Sequence, residues 1–284
     1  MTTQRRPENM LLKIVSSTLE EPDQATRLCE AAYIPQHFER RNLPVTLHHR
    51  WSQTYNWNPD GTIHAPWKGT APLEAILLGA HVHRGQMLQE DTYSAHAALV
   101  VGPGGDGKLL VGHSGAGKTT LAGAFQRQGY TVASGNTTLL RCGANLVAVG
   151  GTTTISARET HTGAWEQTDW KEGPNGRLLA EGPEQPKTSI IVREIVMVRL
   201  ENRGTNIQPV AAADAAHHVF GHLWDYLRED LILGGEHLIT TGAGIDITRA
   251  KTRLIQTLHT QHVNGSLRTL TACGRADKLA EVLA

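Results

Sequence analysis

The chain has 284 residues, enough for one large domain or two small ones with a sizeable core. Lysine plus arginine equals aspartate plus glutamate at 27 each, so bulk charge selects neither nucleic acid nor an anionic membrane as a partner. The three cysteines, Cys29, Cys142 and Cys273, are far apart and form no CxxC pair, which argues against a disulfide framework or a zinc ribbon and fits a reducing cytoplasm.

The opening "MTTQRRPENMLLKIVSS" has two arginines but no apolar stretch long enough for a signal peptide, and no run approaches ~18 apolar residues. A soluble cytoplasmic protein is expected. Residues 1–70 read as a small N-terminal α/β or β-rich segment. There "LPVTLHHRWSQTYNWNPDGTIHAPW" sets an Asn-Pro-Asp-Gly turn between two short strand-like runs. Trp51, Trp57 and Trp67 suit the core of such a module, or stacking on a base or sugar. "LEAILLGAHVHRGQML" (73–88) has helical apolar spacing, although His81 and His83 within it alternate as on one face of a strand.

"AHAALVVGPGGDGKLLVGHSG" then predicts two apolar strands joined by a Pro-Gly-Gly-Asp-Gly turn, a hairpin that feeds a glycine loop. A helix from about Thr119 to Gln128, closed by Gly129, is followed by three strand runs, "YTVAS", "TTLLR" and "LVAVG". "SARETHTGAWEQTDWKEGPNGRLLAEGPEQPKTS" (156–189) is polar and punctuated by Gly and Pro, and reads as a mobile excursion of the lid type. "IIVREIVMVRL" is a β-branched buried strand. "AAADAAHHVFGHLWDYLRE" and "TRAKTRLIQTLHTQ" are amphipathic helices, and "GSLRTLTACGRADKLAEVLA" is a closing strand and helix.

Gly112-His113-Ser114-Gly115-Ala116-Gly117-Lys118-Thr119 matches GxxxxGK[ST], the P-loop or Walker A pattern, at every fixed position. Glycines let successive backbone N–H groups turn inward around phosphates, and the helix that starts at Lys118 directs its positive end at them. Lys118 is expected to neutralise β and γ oxygens, and the Thr119 hydroxyl to ligate magnesium, with Thr120 next in the first helical turn. The other reading is a glycine turn in an unrelated fold; the strand before the loop and the helix after it favour nucleotide binding. No hhhh-Asp strand end of the usual form follows. "IIVREIVMVRLEN" ends in Glu201 and "LITTGAGID" in Asp246, and no NKxD motif is present.

His96, the hairpin, the GxSGxGK[ST] loop, the helix and the strand after it together resemble the HPr kinase family, whose catalytic domain is related to the nucleotide-binding part of phosphoenolpyruvate carboxykinase. The likeness runs from about Leu73 to the C-terminus, so residues 71–284 are expected to form one P-loop domain. The implied fold is α/β, a mixed sheet flanked by helices, like the C-terminal domain of an HPr kinase. The resemblance implies an ATP- and Mg²⁺-dependent kinase acting on a hydroxyl of a small molecule or peptide, and a homo-oligomer.

In kinases of this family the strand after the P-loop helix ends in two aspartates, one the catalytic base and the other near the metal. The corresponding positions here are Ser134 and Gly135, with Asn136 next, and none ionises as a carboxylate does. Thr120 stands where bacterial members often have a glutamate, which argues against HPr itself as the acceptor. The C-terminal arginine-glycine-rich signature is also missing. His96, whose side chain ordinarily titrates near working pH, is the candidate for proton handling, or else a strand-capping histidine. Ser134 and Asn136 are candidates to orient an acceptor hydroxyl or a metal-bound water, or else they form a turn. Arg158 and Arg177 are candidates to stabilise the transferring phosphoryl, or else they are surface residues.

Three readings stay open: a kinase, a nucleotide-binding regulator that has lost catalysis, and a transferase whose acceptor is already an anion. His218 and His222 sit four residues apart on one predicted helix, but with no third ligand at a recognisable spacing.

Overall fold

The computed structural model describes residues 12–15, 32, 34–39, 45–48, 56–57, 63–64, 80, 83–84, 87–88, 90–165, 169–173, 176–182, 185–202, 204–224, 230–233, 237–240 and 247–284. Trp51, Trp67, the side chain of Trp57, His81, Cys29 and Asp246 lie outside the described residues.

Near the N-terminus, strands β1 (Leu12–Val15), β3 (Val45–His48), β4 (Asn56–Trp57) and β5 (Ile63–His64) form one sheet in the order β1-β3-β5-β4. The Asn-Pro-Asp-Gly stretch does separate two antiparallel strands, with Trp57 opposite Ile63. Strand β2 (Gln36–His37) instead joins the main sheet. Ala80, His83, Arg84, Met87 and Leu88 are helical, so His83 belongs to a helix and not to an alternating strand. The i, i+3, i+4 and i+7 apolar spacing around it outweighs the local alternation of two histidines. His83 is almost fully buried.

The main sheet has ten strands. It comprises β2, β6 (Thr92–Ala95), β7 (Ala98–Val101), β8 (Gly107–Val111), β9 (Thr131–Ser134), β10 (Thr138–Cys142), β11 (Leu146–Gly151), β15 (Ile190–Leu200), β16 (Thr205–Pro209) and β19 (Arg268–Gly274). β15 runs parallel to both β8 and β19, whereas β7 pairs antiparallel with β8, so the sheet is mixed. A strand buried on both faces needs runs of apolar residues, and "IIVREIVMVRL" supplies two, Ile190–Val192 and Ile195–Val198. Its Ile195 and Val196 are fully buried in two different clusters, one on each side of the sheet.

Four α-helices flank the described sheet: α1 (Lys118–Arg127), α2 (Ala212–Trp224), α3 (Ile247–Val263) and α4 (Ala276–Leu283). On one side Leu121, Ala122, Ala124 and Phe125 of α1 meet Leu279 and Leu283 of α4 and Val196 of β15. On the other side Ala216, Val219 and Leu223 of α2 and Leu254 and Leu258 of α3 cover Leu109, Val111 and Ile195. α1 ends as its sequence suggests. Gly129 takes φ 84°, its N–H reaches Gln126 O and the Tyr130 N–H reaches Phe125 O, while the Tyr130 and Phe125 rings pack 4.9 Å apart.

The excursion at 156–189 is not irregular. β12 (Thr154–Arg158), β13 (Lys171–Glu172) and β14 (Arg177–Glu181) form a separate three-stranded sheet, with a 3₁₀ turn at Glu159–Ala164. Ile155 and Trp165 are buried in the cluster under α1. Alternation in "TISAR" and "RLLAE" creates one apolar face in each strand, which the surrounding Gly and Pro residues mask when composition alone is read. No described helix is long and apolar enough to cross a membrane.

Candidate functional site

Parallel β8 and β15 bring Val111 opposite Met197, and the Gly112–Gly117 loop leaves from that end of β8. The loop is tied down at Ala116. Its N–H reaches His113 O at 3.1 Å, and its carbonyl accepts the Leu200 N–H at 2.9 Å. Two glycines are required for this path. A Cβ on Gly112 would stand 2.8 Å from Val198 O, and one on Gly117, where φ is 99°, would stand 2.3 Å from the Leu200 side chain.

Gly117 is the N-cap of α1, no side chain caps the helix, and its first turn holds no acidic residue. The first N–H groups of a helix lack intrahelical acceptors, so this end is a donor array with a positive dipole. Lys118 is 5 % exposed, and its ammonium donates to Gly112 O at 2.7 Å and His113 O at 3.0 Å. In this state the lysine bridges carbonyls of its own loop. Burial and then the nearby Arg177 push its pKa down to about 8. Thr119 and Thr120 follow in the first turn and are half-buried, while His113, Ser114 and Gly115 are exposed at the mouth.

His96 occupies the bend between β6 and β7. β7 starts two residues later at Ala98, which pairs with Leu110 of β8, the strand that leads into the loop. Burial, then Lys118, Arg84 and Arg177 push the imidazole pKa down to about 3, so it is neutral at working pH. Arg177 is held by two bonds to Ser156, Nε to Oγ at 3.1 Å and Nη2 to the carbonyl at 2.7 Å. The site therefore gathers Lys118, His96, Arg177 and Arg84. Arg158 pairs with Arg177 in the β12–β14 register, but its side chain is exposed.

Ser134 and Asn136 are differently placed. Ser134 is 1 % exposed; its hydroxyl donates to Thr137 O at 2.6 Å and accepts the Thr152 N–H at 3.3 Å. The Asn136 amide donates to Ala32 O at 2.9 Å, and Thr152 Oγ1 accepts the N–H groups of both Asn136 and Thr137. The Ser134 hydroxyl thus closes a turn between β9 and β10, and the Asn136 amide ties that turn to Ala32. Glu201 is exposed and pairs with Arg199. Among the described residues no group of three or more His, Cys, Asp or Glu could hold a metal. Magnesium can bind chiefly through phosphate oxygens and water, and the half-buried Thr119 hydroxyl suits that mode.

Sequence reasoning passed over Arg84 and Ser156 and gave His222 another role. Arg84 and Ser156 carry no local signal, because both act through partners distant in sequence. His222 was weighed only as half of a metal pair. In the structure its ring stands edge-on to His113 of the loop, with centroids 4.9 Å apart at 64°, while His217 and His218 are exposed.

No family model and no curated protein matches the sequence. Among solved structures, the HPr(Ser) kinase/phosphatase from Coxiella burnetii is a weak neighbour, 13 % identical over 42 % of this chain and 71 % of that one, with a TM-score of 0.25. That likeness carries no argument here.

Proposed function

We propose that the protein binds Mg²⁺-ATP at Gly112–Thr120 and transfers its terminal phosphoryl group to a hydroxyl of a small molecule or peptide. The observation that carries this reading is the buried Lys118 ammonium clasping the Gly112 and His113 carbonyls at the uncapped start of α1. A charge so placed is ready to exchange two carbonyls for phosphate oxygens, and the neighbouring N–H groups offer further donors. The Thr119 hydroxyl would hold a magnesium ion, which would supply positive charge to offset that of the phosphates.

Arg177, oriented by Ser156, is the group proposed to meet charge that develops on the transferring phosphoryl. Arg158 lies beside it on the exposed rim. Phosphoryl transfer through a loose transition state asks for positioning and charge stabilisation more than for a strong base. That suits a site whose Ser134 hydroxyl and Asn136 amide are committed to a turn. The same reading includes kinship with the HPr kinase family, a P-loop domain over residues 71–284 beside a small segment at 1–70, a cytoplasmic setting and assembly as a homo-oligomer.

A second reading, a nucleotide-binding regulator without catalysis, is favoured by the Ser134-Gly135-Asn136 turn, which holds no ionisable carboxylate. Calorimetric titration with ATP, with and without Mg²⁺, separates the two when followed by ³¹P detection of product across a panel of hydroxyl acceptors. Magnesium-dependent binding that Lys118→Ala abolishes, together with a phosphorylated acceptor, supports the kinase. Binding indifferent to Mg²⁺ with no product supports the regulator. No ATP binding at all refutes both.

A further inference from the structure

The phosphate loop is confined at both ends and bare in the middle. At its start Gly112 has no room for a Cβ beside Val198 O, and at its end Ala116 O accepts the Leu200 N–H. Between them His113, Ser114 and Gly115 are exposed, and a Cβ on Gly115 would meet nothing within 4 Å. Glycine backbone loses more conformational freedom on being fixed than that of any other residue. The shape of such a stretch therefore depends on ties to ordered elements outside it.

One such tie comes from α2. The His113 ring stands edge-on to that of His222, with centroids 4.9 Å apart at 64°, the T-shaped arrangement in which aromatic rings attract. His222 is itself firmly rooted. It precedes Leu223 and follows Val219 by three residues, and both are buried in the cluster that holds Val111, the last residue of β8. The helix that covers the end of β8 thus also reaches the second residue beyond it. His113 in turn offers its carbonyl to the Lys118 ammonium at 3.0 Å and to the Ala116 N–H at 3.1 Å. A contact that fixes residue 113 therefore also fixes where the lysine rests.

We propose that His222 is a positioning residue for the phosphate loop: through the ring of His113 it holds the peptide that receives Lys118, so that the loop is already shaped when a polyphosphate arrives. The inference rests on the proposed nucleotide site and adds to it a residue that the ligand does not touch. A loop ordered beforehand binds more tightly than one that must be ordered on binding. An aromatic pair of this kind corresponds to about a two- to tenfold change in affinity.

The experiment is calorimetric titration of the full chain with Mg²⁺-ATP and, separately, with tripolyphosphate. The variants are His222→Ala, His113→Ala, the double variant, His222→Phe, and His218→Ala as a control from an exposed position on the same helix. Each of the first two should weaken both ligands about two- to tenfold. The double variant should bind no worse than either single one, because the second ring has nothing left to hold. His222→Phe, which keeps an aromatic ring, should restore affinity, and His218→Ala should leave it unchanged. A purely additive double variant, or a phenylalanine no better than alanine, overturns the proposal. A loss seen with ATP but not with tripolyphosphate also overturns it, since His222 would then touch the nucleoside. Should His222→Ala not fold, His113→Ala decides at the exposed mouth of the loop, and unchanged affinity there refutes the contact's role. These failures leave the nucleotide site standing; if the wild type binds neither ligand, both fall.

Discussion

Replacing Gly117 by alanine tests whether the loop path is set by steric necessity. Gly117 has φ 99°, and an added Cβ would lie 2.3 Å from both Cγ and Cδ1 of Leu200 and 2.9 Å from its Cβ, against ordinary contacts of 3.4–4 Å. The left-handed backbone should cost an L residue about 1–2 kcal/mol. Displacing Leu200, whose side chain packs on the cluster under α1, adds about 1–3 kcal/mol of overpacking. The sum is about 2–5 kcal/mol, or a melting temperature lower by roughly 4–10 °C for a chain of this size. Because the Leu200 N–H holds the loop at Ala116 O, the shift should also displace the loop and abolish ATP binding.

Gly115→Ala is the internal control. Its φ is 82°, but nothing lies within 4 Å of its added Cβ, so only the backbone strain of about 1–2 kcal/mol should appear. In the double variant Gly117→Ala/Leu200→Ala the clashes with Cγ and Cδ1 of Leu200 are gone and only the 2.9 Å approach to its Cβ is left, so its loss of stability should be smaller than the sum of the two single losses. Thermal unfolding by circular dichroism reads all four variants. A Gly117→Ala protein that melts within ~1 °C of wild type, or a double variant that is strictly additive, would refute the steric account.

Other expected outcomes concern the turn after β9 and the buried histidines. Ser134→Asp places a carboxylate in a 1 %-exposed site facing Thr137 O. The expected loss is about 3–5 kcal/mol of stability with no gain of phosphoryl transfer, as urea unfolding and a ³¹P assay would show. Thr152→Val removes the acceptor for two N–H groups of the same turn and should cost about 2–4 kcal/mol in urea unfolding; a loss under ~0.5 kcal/mol would mean that the turn is held elsewhere. Burial pushes both His83 and His96 down to about 3, whereas in the unfolded chain a histidine titrates near ~6.5. The unfolded state therefore binds more protons between those values, and stability should fall as pH drops through that window by up to about 1.4 kcal/mol per pH unit per histidine. Urea midpoints at pH 7, 6 and 5 measure the slope, which His83→Leu should reduce; midpoints that do not move would contradict the buried-neutral assignment.

Much of the fold is local in origin and could be read along the chain. The hairpin of β7 and β8, the Gly112–Gly117 loop, α1 with its Gly129 stop, the long strand β15 and helices α2 to α4 follow from apolar period, β-branching and glycine placement among near neighbours. The loop was legible because its chemistry lies within consecutive residues, Gly112 to Thr119, whose backbone conformations are constrained one by one. The strands within 156–189 were not, since their apolar faces emerge only when Ile155 and Trp165 find partners and the intervening Gly and Pro dominate composition.

Only the tertiary structure decided which way the side chains around the loop face. Ser134 and Asn136 read as turn formers or as acceptor ligands, with residue types leaning to the turn; pairing of β9 with β7 and the approach of Thr152 and Ala32 fix them in it. Strand β14 brings Arg177, one of two candidate arginines in the sequence, to Ser156, and Arg84 acts on His96 from the helical stretch at 83–84. The physical reason is range. Propensity and periodicity act over a few residues, but the field at His96 is the sum of charges from residues 84, 118 and 177, and no local pattern encodes their meeting.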